Sequence, residues 1–269
     1  MMNNVFTIKR FGALIRKECR EYFGNFGLTV LSMTGTYVIY LLASLLSSSS
    51  PGILSRLSLI VVWTGLALVF APSKVYGMAN HKKMGLSYVQ LPSSALEKTI
   101  SMFVVTYLCV TLSMLISLFA VDTLFYLLFP SRSSGFLLTG SHSMFSIKTF
   151  FDLFVIQSLF VLGNMVFKRQ KVVKTLAVLI GFVFLLSFVM GLLVKAIGIE
   201  VVERWIDTML KDFPQEIEPG RIVGMRGLRL WSVENPLIRN FVFITDTVRG
   251  LVVASCWFGT YRLIKTTKY

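Results

Sequence analysis

The stretch that decides the fold is residues 149–194, TFFDLFVIQSLFVLGNMVFKRQKVVKTLAVLIGFVFLLSFVMGLLV, in which two apolar blocks flank a short basic segment. A helix needs about 20 mostly apolar residues to cross a hydrocarbon core of about 30 Å. The blocks at 149–167 and 172–194 have that length, and the cations at 168–174 keep them from merging into one run. The stretch therefore predicts two spanning helices joined as a hairpin.

Four further apolar blocks extend this pattern over the chain, at about 28–47, 57–73, 99–129 and 241–262. Backbone amides in lipid must be satisfied within their own segment, so each block is predicted to be a helix. The composition agrees, because 55% of the 269 residues are hydrophobic and only 15% are charged. Soluble domains carry about 25% charged residues. We expect an all-α, polytopic membrane protein with six spans in a single transmembrane domain, residues 1–269.

The distribution of the net charge of +14 predicts the orientation. The cations lie at the ends of apolar blocks and not on one polar face, which argues against a nucleic-acid partner. With the N-terminus inside, 16 of the 27 lysines and arginines fall on the cytoplasmic side against three glutamates. Those cations are Lys9, Arg10, Arg16, Lys17, Arg20, Lys74, Lys82, Lys83, Lys98, Lys168, Arg169, Lys171, Lys174, Arg262, Lys265 and Lys268. Both termini are therefore predicted to be cytoplasmic.

Residues 5–23, VFTIKRFGALIRKECREYF, have apolar side chains at helical spacing and cations on the opposite arc. This pattern predicts an amphipathic helix in the membrane interface, with its cations near anionic headgroups. Two interpretations stay open: the segment is a lipid anchor, or it is a connecting helix that packs beside a cytoplasmic partner.

The segment between the second and third spans, residues 73–98, is too long for a simple turn. Ser94 and Glu97 have capping-box spacing, which predicts that the third helix begins there. The apolar residues upstream of this cap lie beside basic ones and are Met84, Leu86, Tyr88, Val89 and Leu91. The segment therefore either docks a soluble protein or rests on lipid headgroups.

Residues 90–98, QLPSSALEK, resemble the LP-x-S-x-x-EK stretch of bacterial permease-like proteins among the type-two ABC exporters. The layout of a basic N-terminal helix, six spans and a cytoplasmic loop between spans two and three is similar to the same group. The resemblance implies a membrane subunit in the bacterial inner (plasma) membrane, a dimer with itself or a second membrane subunit, and a separate ATP-binding subunit. The candidate ATPase contacts are Arg16, Lys17, Lys82, Lys83, Leu86 and Tyr88.

Ionisable residues inside spans are costly and suggest function. Here they are Asp122, Asp152, Asp246 and Arg249, all toward the predicted outer ends of their spans. Asp246 and Arg249 are three residues apart and can pair on one helix face. The four residues either reach water at the interface or form an outer gate or a cation site.

Small polar residues recur at helical spacing in two spans and either pack helices together or line a path. They are Ser32, Thr36, Tyr40, Ser44 and Ser47 in the first span and Thr99, Thr106 and Ser113 in the third. The three cysteines, Cys19, Cys109 and Cys256, have no metal-ligand spacing and imply no disulfide framework. They are interpreted as small buried apolar residues.

Sequence motifs of catalysis are missing: there is no phosphate-binding GxxxxGK[ST] loop, no GxSxG and no HExxH. His81 and His142 have no Cys, Asp or Glu at ligand spacing. We therefore expect no enzyme, no cofactor and no metal site in this chain. The alternative to an exporter subunit is a non-transporting scaffold, sensor or assembly factor that acts through the predicted outer loop, residues 195–240.

Overall fold

The structure, a computed structural model, describes residues 6–47, 51–79, 85, 88, 90–133, 135–137, 147–201, 203–204 and 236–266. In these ranges the chain forms long helices and no strand, so the predicted all-α class is confirmed. The helices are α1 (Ile8–Leu46), α2 (Ile53–Val75), α3 (Ala95–Leu128), α4 (Ile147–Val166), α5 (Lys171–Ile197) and α6 (Pro236–Thr266).

Helices α1 to α5 are long and apolar enough to cross a membrane, and the protein is membrane-embedded. Helix α6 has 31 residues and contains the apolar block at 241–262, whose role as a sixth span stays a prediction. Most of the predicted outer loop, 205–235, lies outside the described residues.

Helix α1 differs from the prediction, because the expected interfacial helix and the first span form one unbroken helix of 39 residues. A single buried face runs through Leu14, Glu18, Tyr22, Phe26 and Val30, spaced by four, and no proline interrupts it. The helix is about 58 Å long, far more than a bilayer core requires. The basic N-terminal part therefore continues the span instead of lying as a separate helix in the interface.

Helix α3 starts with the predicted capping box: the Glu97 N–H donates to Ser94 Oγ, and the Ser94 N–H donates to the Glu97 carboxylate. Five residues inside it, Val105–Cys109, form a π-helical turn. Such a turn inserts an extra residue and changes which side chains face the neighbouring helices, and it is frequent at functional sites.

The chain divides into two compact units, Met1–Thr175 with Val253–Tyr269, and Leu176–Val252. In the first unit, α2 packs against α1, α3 and α4. Contacts advance in the same direction along α1 and α3, from Thr7 with Glu97 to Tyr37 with Asp122, so these helices are parallel. We call the end where α1 and α3 begin the N-terminal end, and the opposite end the distal end.

The core of the first unit is a continuous apolar cluster of α1, α2, α3 and α4 side chains. The C-terminal part of α6 joins it, because the Trp257 ring stacks on Phe103 with ring centroids 4.3 Å apart. The junction between α4 and α5 is tightly packed, because a Cβ on Gly163 of α4 would collide with Thr175 of α5. Only glycine permits this approach.

The second unit contains α5 from Leu176 onward and α6 up to Val252. No α5 residue from Leu176 to Ile197 is buried, and the helix is apolar on all sides, as expected of a helix surrounded by lipid. Helix α5 ends at Gly198, whose φ of +97° and N–H bond to the Val194 carbonyl form a glycine C-terminal cap.

Candidate functional site

A ladder of polar contacts joins α1 to α3 along most of their length. The contacts are Thr7 and Arg10 with Glu97, Glu18 with Ser101, Cys19 with Cys109, Tyr22 with Ser113, and Tyr37 with Asp122. Polar contacts between apolar helices hold them together in lipid, where the alternative is an unsatisfied polar group. The ladder makes α1 and α3 a paired element.

The distal cluster is built on Asp122 and consists of Asp122, Arg56 and Tyr37. Arg56 Nη1 lies 3.1 Å and 3.0 Å from the two Asp122 oxygens, and the Tyr37 hydroxyl donates to Oδ1 at 2.8 Å. The Arg56 and Asp122 side chains are 0% and 1% exposed. Asp122 therefore does not reach water at the interface; it is neutralised inside the bundle.

Arg56 also holds the segment after α3, because its Nη2 donates to the Gly135 carbonyl at 2.6 Å. Its Nε has no partner among the described residues. A buried ion pair survives only when good geometry and further hydrogen bonds offset the desolvation of both charges. One guanidinium therefore links α2, α3 and the chain beyond α3.

The other predicted gate residues have different surroundings. Asp246 and Arg249 pair across one turn of α6 at 3.4 Å, as their spacing predicts, and both side chains are about one-third exposed. Asp152 is half-buried near the start of α4. The partners of Asp122 are instead Tyr37 and Arg56, the residue directly before the predicted second span at 57–73.

The N-terminal end has a carboxylate that is fully buried yet bound mainly by backbone amides. Glu97 accepts from the Thr7 N–H at 2.7 Å, from the Ser94 N–H at 2.8 Å and from Arg10 Nη2 at 3.2 Å. The capping side chain of α3 thereby also fastens the start of α1. The predicted capping box is confirmed, and its link to α1 is a feature that the sequence did not reveal.

A second buried carboxylate, Glu18, joins α1 to α2 and α3. Its Oε2 accepts from the Tyr76 hydroxyl at 2.5 Å and from Ser101 Oγ, while Oε1 has no partner among the described residues. Burial and the nearby Glu18 raise the pKa of the Tyr76 hydroxyl well above its usual value, which keeps that group protonated as a donor. Asn164 of α4 donates to the Tyr76 carbonyl at 3.3 Å, so four helices meet here.

The candidate ATPase contacts divide into three groups. Arg16 and Lys17 are exposed on α1, with Lys17 Nζ 3.1 Å from the Glu21 carboxylate. The Tyr88 ring packs internally, edge-on against Tyr76, and the Lys98 ammonium lies 5.5 Å above it. The remaining three, Lys82, Lys83 and Leu86, lie outside the described residues.

Two residues of the α3 stripe, Thr106 and Ser113, bond to neighbouring helices, whereas the Thr99 hydroxyl donates to the Ala95 carbonyl of α3 itself. Thr106 Oγ1 accepts from Gln157 Nε2 of α4 at 2.5 Å, and the Ser113 and Tyr22 hydroxyls are 2.6 Å apart. In the α1 stripe, Ser32 and Thr36 are exposed, and their hydroxyls bond to carbonyls of α1 itself. Ser32 and Thr36 therefore do not join α1 to a neighbouring helix through these bonds, whereas the Tyr40 side chain of the same stripe packs against the apolar core.

Sequence reasoning missed the buried roles of Glu18, Arg56, Gln157 and Asn164. Glu18 carried a readable signal, because it interrupts the apolar series Leu14, Tyr22 and Phe26 at a spacing of four. Arg56 directly precedes the apolar block at 57–73 and gave no comparable signal.

The chemistry of the site is that of charge pairing and hydrogen bonding. Among the described residues, no group of three or more His, Cys, Asp or Glu side chains is arranged to hold a metal ion. Comparison with protein-family models, curated proteins and solved structures gives no match for this chain.

Proposed function

We propose that this chain is the transmembrane subunit of an ATP-driven ABC-type exporter in the bacterial plasma membrane. It works as a homo- or heterodimer of membrane subunits, with both termini in the cytoplasm and a separate ATP-binding subunit bound at the N-terminal end. The observation that carries this proposal is the Glu97 contact. It joins the basic start of α1 to the end of the 73–98 segment, the two places where the resemblance puts an ATPase.

The geometry supports a simple coupling path. A partner that presses on the exposed cations Arg16 and Lys17 acts on a helix that continues without a break into a span. Because Glu97 and Glu18 tie α1 to α3, the two helices move together. The two nucleotide states of the partner shift the equilibrium only if they contact this end differently.

The distal cluster is the gate in this proposal. Arg56 connects Asp122 of α3 to α2 and to Gly135, so a joint displacement of α1 and α3 has to break or move this ion pair. The gate thus consists of Arg56, Asp122 and Tyr37. Asp152, Asp246 and Arg249 remain predicted outer-gate residues.

The test is co-purification of the tagged chain from crosslinked membranes of its host, followed by assay of ATP hydrolysis. We expect a vanadate-sensitive ATPase to be recovered with the wild type. The charge reversal Arg16→Glu with Lys17→Glu should lower its recovery at least about tenfold, the equivalent of about 1.4 kcal/mol of binding free energy.

The matched control is Arg132→Glu, an exposed cation on the short helical turn after α3, at the distal end. It should leave the recovery unchanged. Recovery of no ATPase with the wild type, together with loss of function on deletion of 205–235, would instead support the scaffold alternative. Labelling of engineered cysteines in residues 74–83 from outside intact cells would overturn the orientation.

A further inference from the structure

Two thiols face each other in the ladder. Cys19 Sγ of α1 and Cys109 Sγ of α3 are 3.5 Å apart, and both side chains are half-buried. A disulfide bond is about 2.05 Å long, so the sulfurs need to approach by only about 1.5 Å. Such a shift is within reach of small side-chain rotations.

The neighbouring contacts hold this pair in register. Glu18, directly before Cys19, bonds to Ser101, and Tyr22, one turn later, bonds to Ser113. Cys109 is the last residue of the π-helical turn, whose extra residue sets the direction of the side chains that follow. The two thiols therefore face each other because α1 and α3 are fixed on both sides of them.

We propose that Cys19 and Cys109 are a redox-active dithiol, which a hydroperoxide oxidises to an intramolecular disulfide between α1 and α3. Cys19 is assigned as the attacking thiol, because it is half-buried on the turn of α1 that carries the exposed Arg16 and Arg20, and reactive cysteines are typically partly exposed and close to cations. Cys256 is buried on α6 and is not part of this pair of thiols.

The reaction balances in two steps. The Cys19 thiolate attacks the O–O bond of the hydroperoxide, forms a sulfenic acid and releases hydroxide or alkoxide, which takes up a proton to leave as water or alcohol. The Cys109 thiol then attacks the Cys19 sulfur, loses its proton and displaces the sulfenic oxygen as water. Two thiols are oxidised and one peroxide is reduced.

The resting state is the dithiol if the N-terminal end faces the cytoplasm, where thiol reductants keep such pairs reduced. This assignment of the resting state rests on the proposed orientation, whereas the pairing rests on geometry alone. Oxidation would fasten the two helices covalently at the place where the proposed exporter transmits motion.

The experiment exposes membranes containing the wild-type chain to hydrogen peroxide, denatures them in detergent and counts free thiols by the gel shift of a polyethylene-glycol maleimide. The reduced chain should carry three adducts, one for each cysteine. The oxidised chain should carry one, and dithiothreitol should restore three. The oxidised chain should run as a monomer on a non-reducing gel.

Two variants distinguish the pair from other oxidation. Cys19→Ser should keep two adducts with and without peroxide, and Cys256→Ser should fall from two to none. Three adducts on the wild type after peroxide, or disulfide-linked dimers, would overturn the proposal. Because only thiols are counted, this result is separate from the outcome of the ATPase co-purification.

Discussion

The two ends of the four-helix bundle hold buried carboxylates in contrasting ways. At the distal end, Asp122 is neutralised by a guanidinium that is itself buried. At the N-terminal end, Glu97 is held by two backbone N–H groups and an Arg10 side chain that is 42% exposed, and Glu18 by two hydroxyl groups. A buried carboxylate with a buried countercharge depends on its partner far more than one bound by neutral donors.

This difference has a consequence for how each end can move. Backbone amides and hydroxyl groups exchange protein partners for water at a smaller cost than the separation of two buried charges, since a hydrogen bond to a charged group contributes about 1.5–3 kcal/mol and a broken buried ion pair costs about 3–5 kcal/mol. Separating a buried ion pair leaves two uncompensated charges. The N-terminal end is therefore suited to repeated rearrangement. The distal end is suited to a closed state that costs more free energy to open. A matched series of carboxylate-to-carboxamide changes tests this contrast.

The largest effect is expected for Asp122→Asn, which leaves the Arg56 charge buried without a countercharge. We expect a loss of about 3–5 kcal/mol in the free energy of unfolding. Tryptophan fluorescence during denaturation of the detergent-purified protein measures it.

Its control is the double variant Arg56→Leu with Asp122→Leu, which removes both charges together. This variant should recover part of the loss, because no buried charge remains unpaired. If the free energy of unfolding of Asp122→Asn lies within about 1 kcal/mol of the wild-type value, the ion pair does not have the proposed importance.

An intermediate effect is expected for Glu97→Gln. The carboxamide has only one acceptor oxygen, so its NH₂ group is placed against at least one of the N–H donors that surround it. The free energy of unfolding should fall by about 1–3 kcal/mol. Ser94→Ala is the comparison variant, since it removes only the cap and should cost about 1 kcal/mol. Equal losses in the two variants would show that the contact with Thr7 contributes little.

A smaller effect is expected for Glu18→Gln. Its amide oxygen can accept from both Tyr76 and Ser101, and its NH₂ group replaces the Oε1 atom that has no described partner. The free energy of unfolding should stay within about 1 kcal/mol of the wild-type value. A loss as large as that of Asp122→Asn would mean that Glu18 depends on a countercharge, and the contrast between the two ends would fail.

The smallest effect is expected for Arg10→Ala. Because this guanidinium is partly exposed, its ion pair with Glu97 is weakened by solvent and contributes less than about 1 kcal/mol. The difference from the wild type should shrink further at high salt, which screens exposed pairs. A loss of more than about 1 kcal/mol in the free energy of unfolding that does not change with salt would contradict this expectation. It would show that the start of α1 is more enclosed than the exposure of Arg10 indicates.

The sequence by itself determined the all-α class, the apolar helices, the break between α4 and α5 and the capping box at Ser94. These features depend on local properties: the length of apolar blocks, the place of a basic segment and the spacing of two residues. The number of spans and their orientation were derived in the same way and stay predictions. Sequence spacing also predicted the pairing of Asp246 with Arg249.

Only the tertiary structure decided which polar residues meet. Arg56 with Asp122, Glu97 with Thr7 and Cys19 with Cys109 are 66 or 90 residues apart, so no local pattern relates them. The unbroken α1 was also decided by packing, because its buried face continues past the point where composition suggested a boundary. Local sequence sets what each helix can tolerate in lipid, whereas the register between helices sets which buried charge finds its partner.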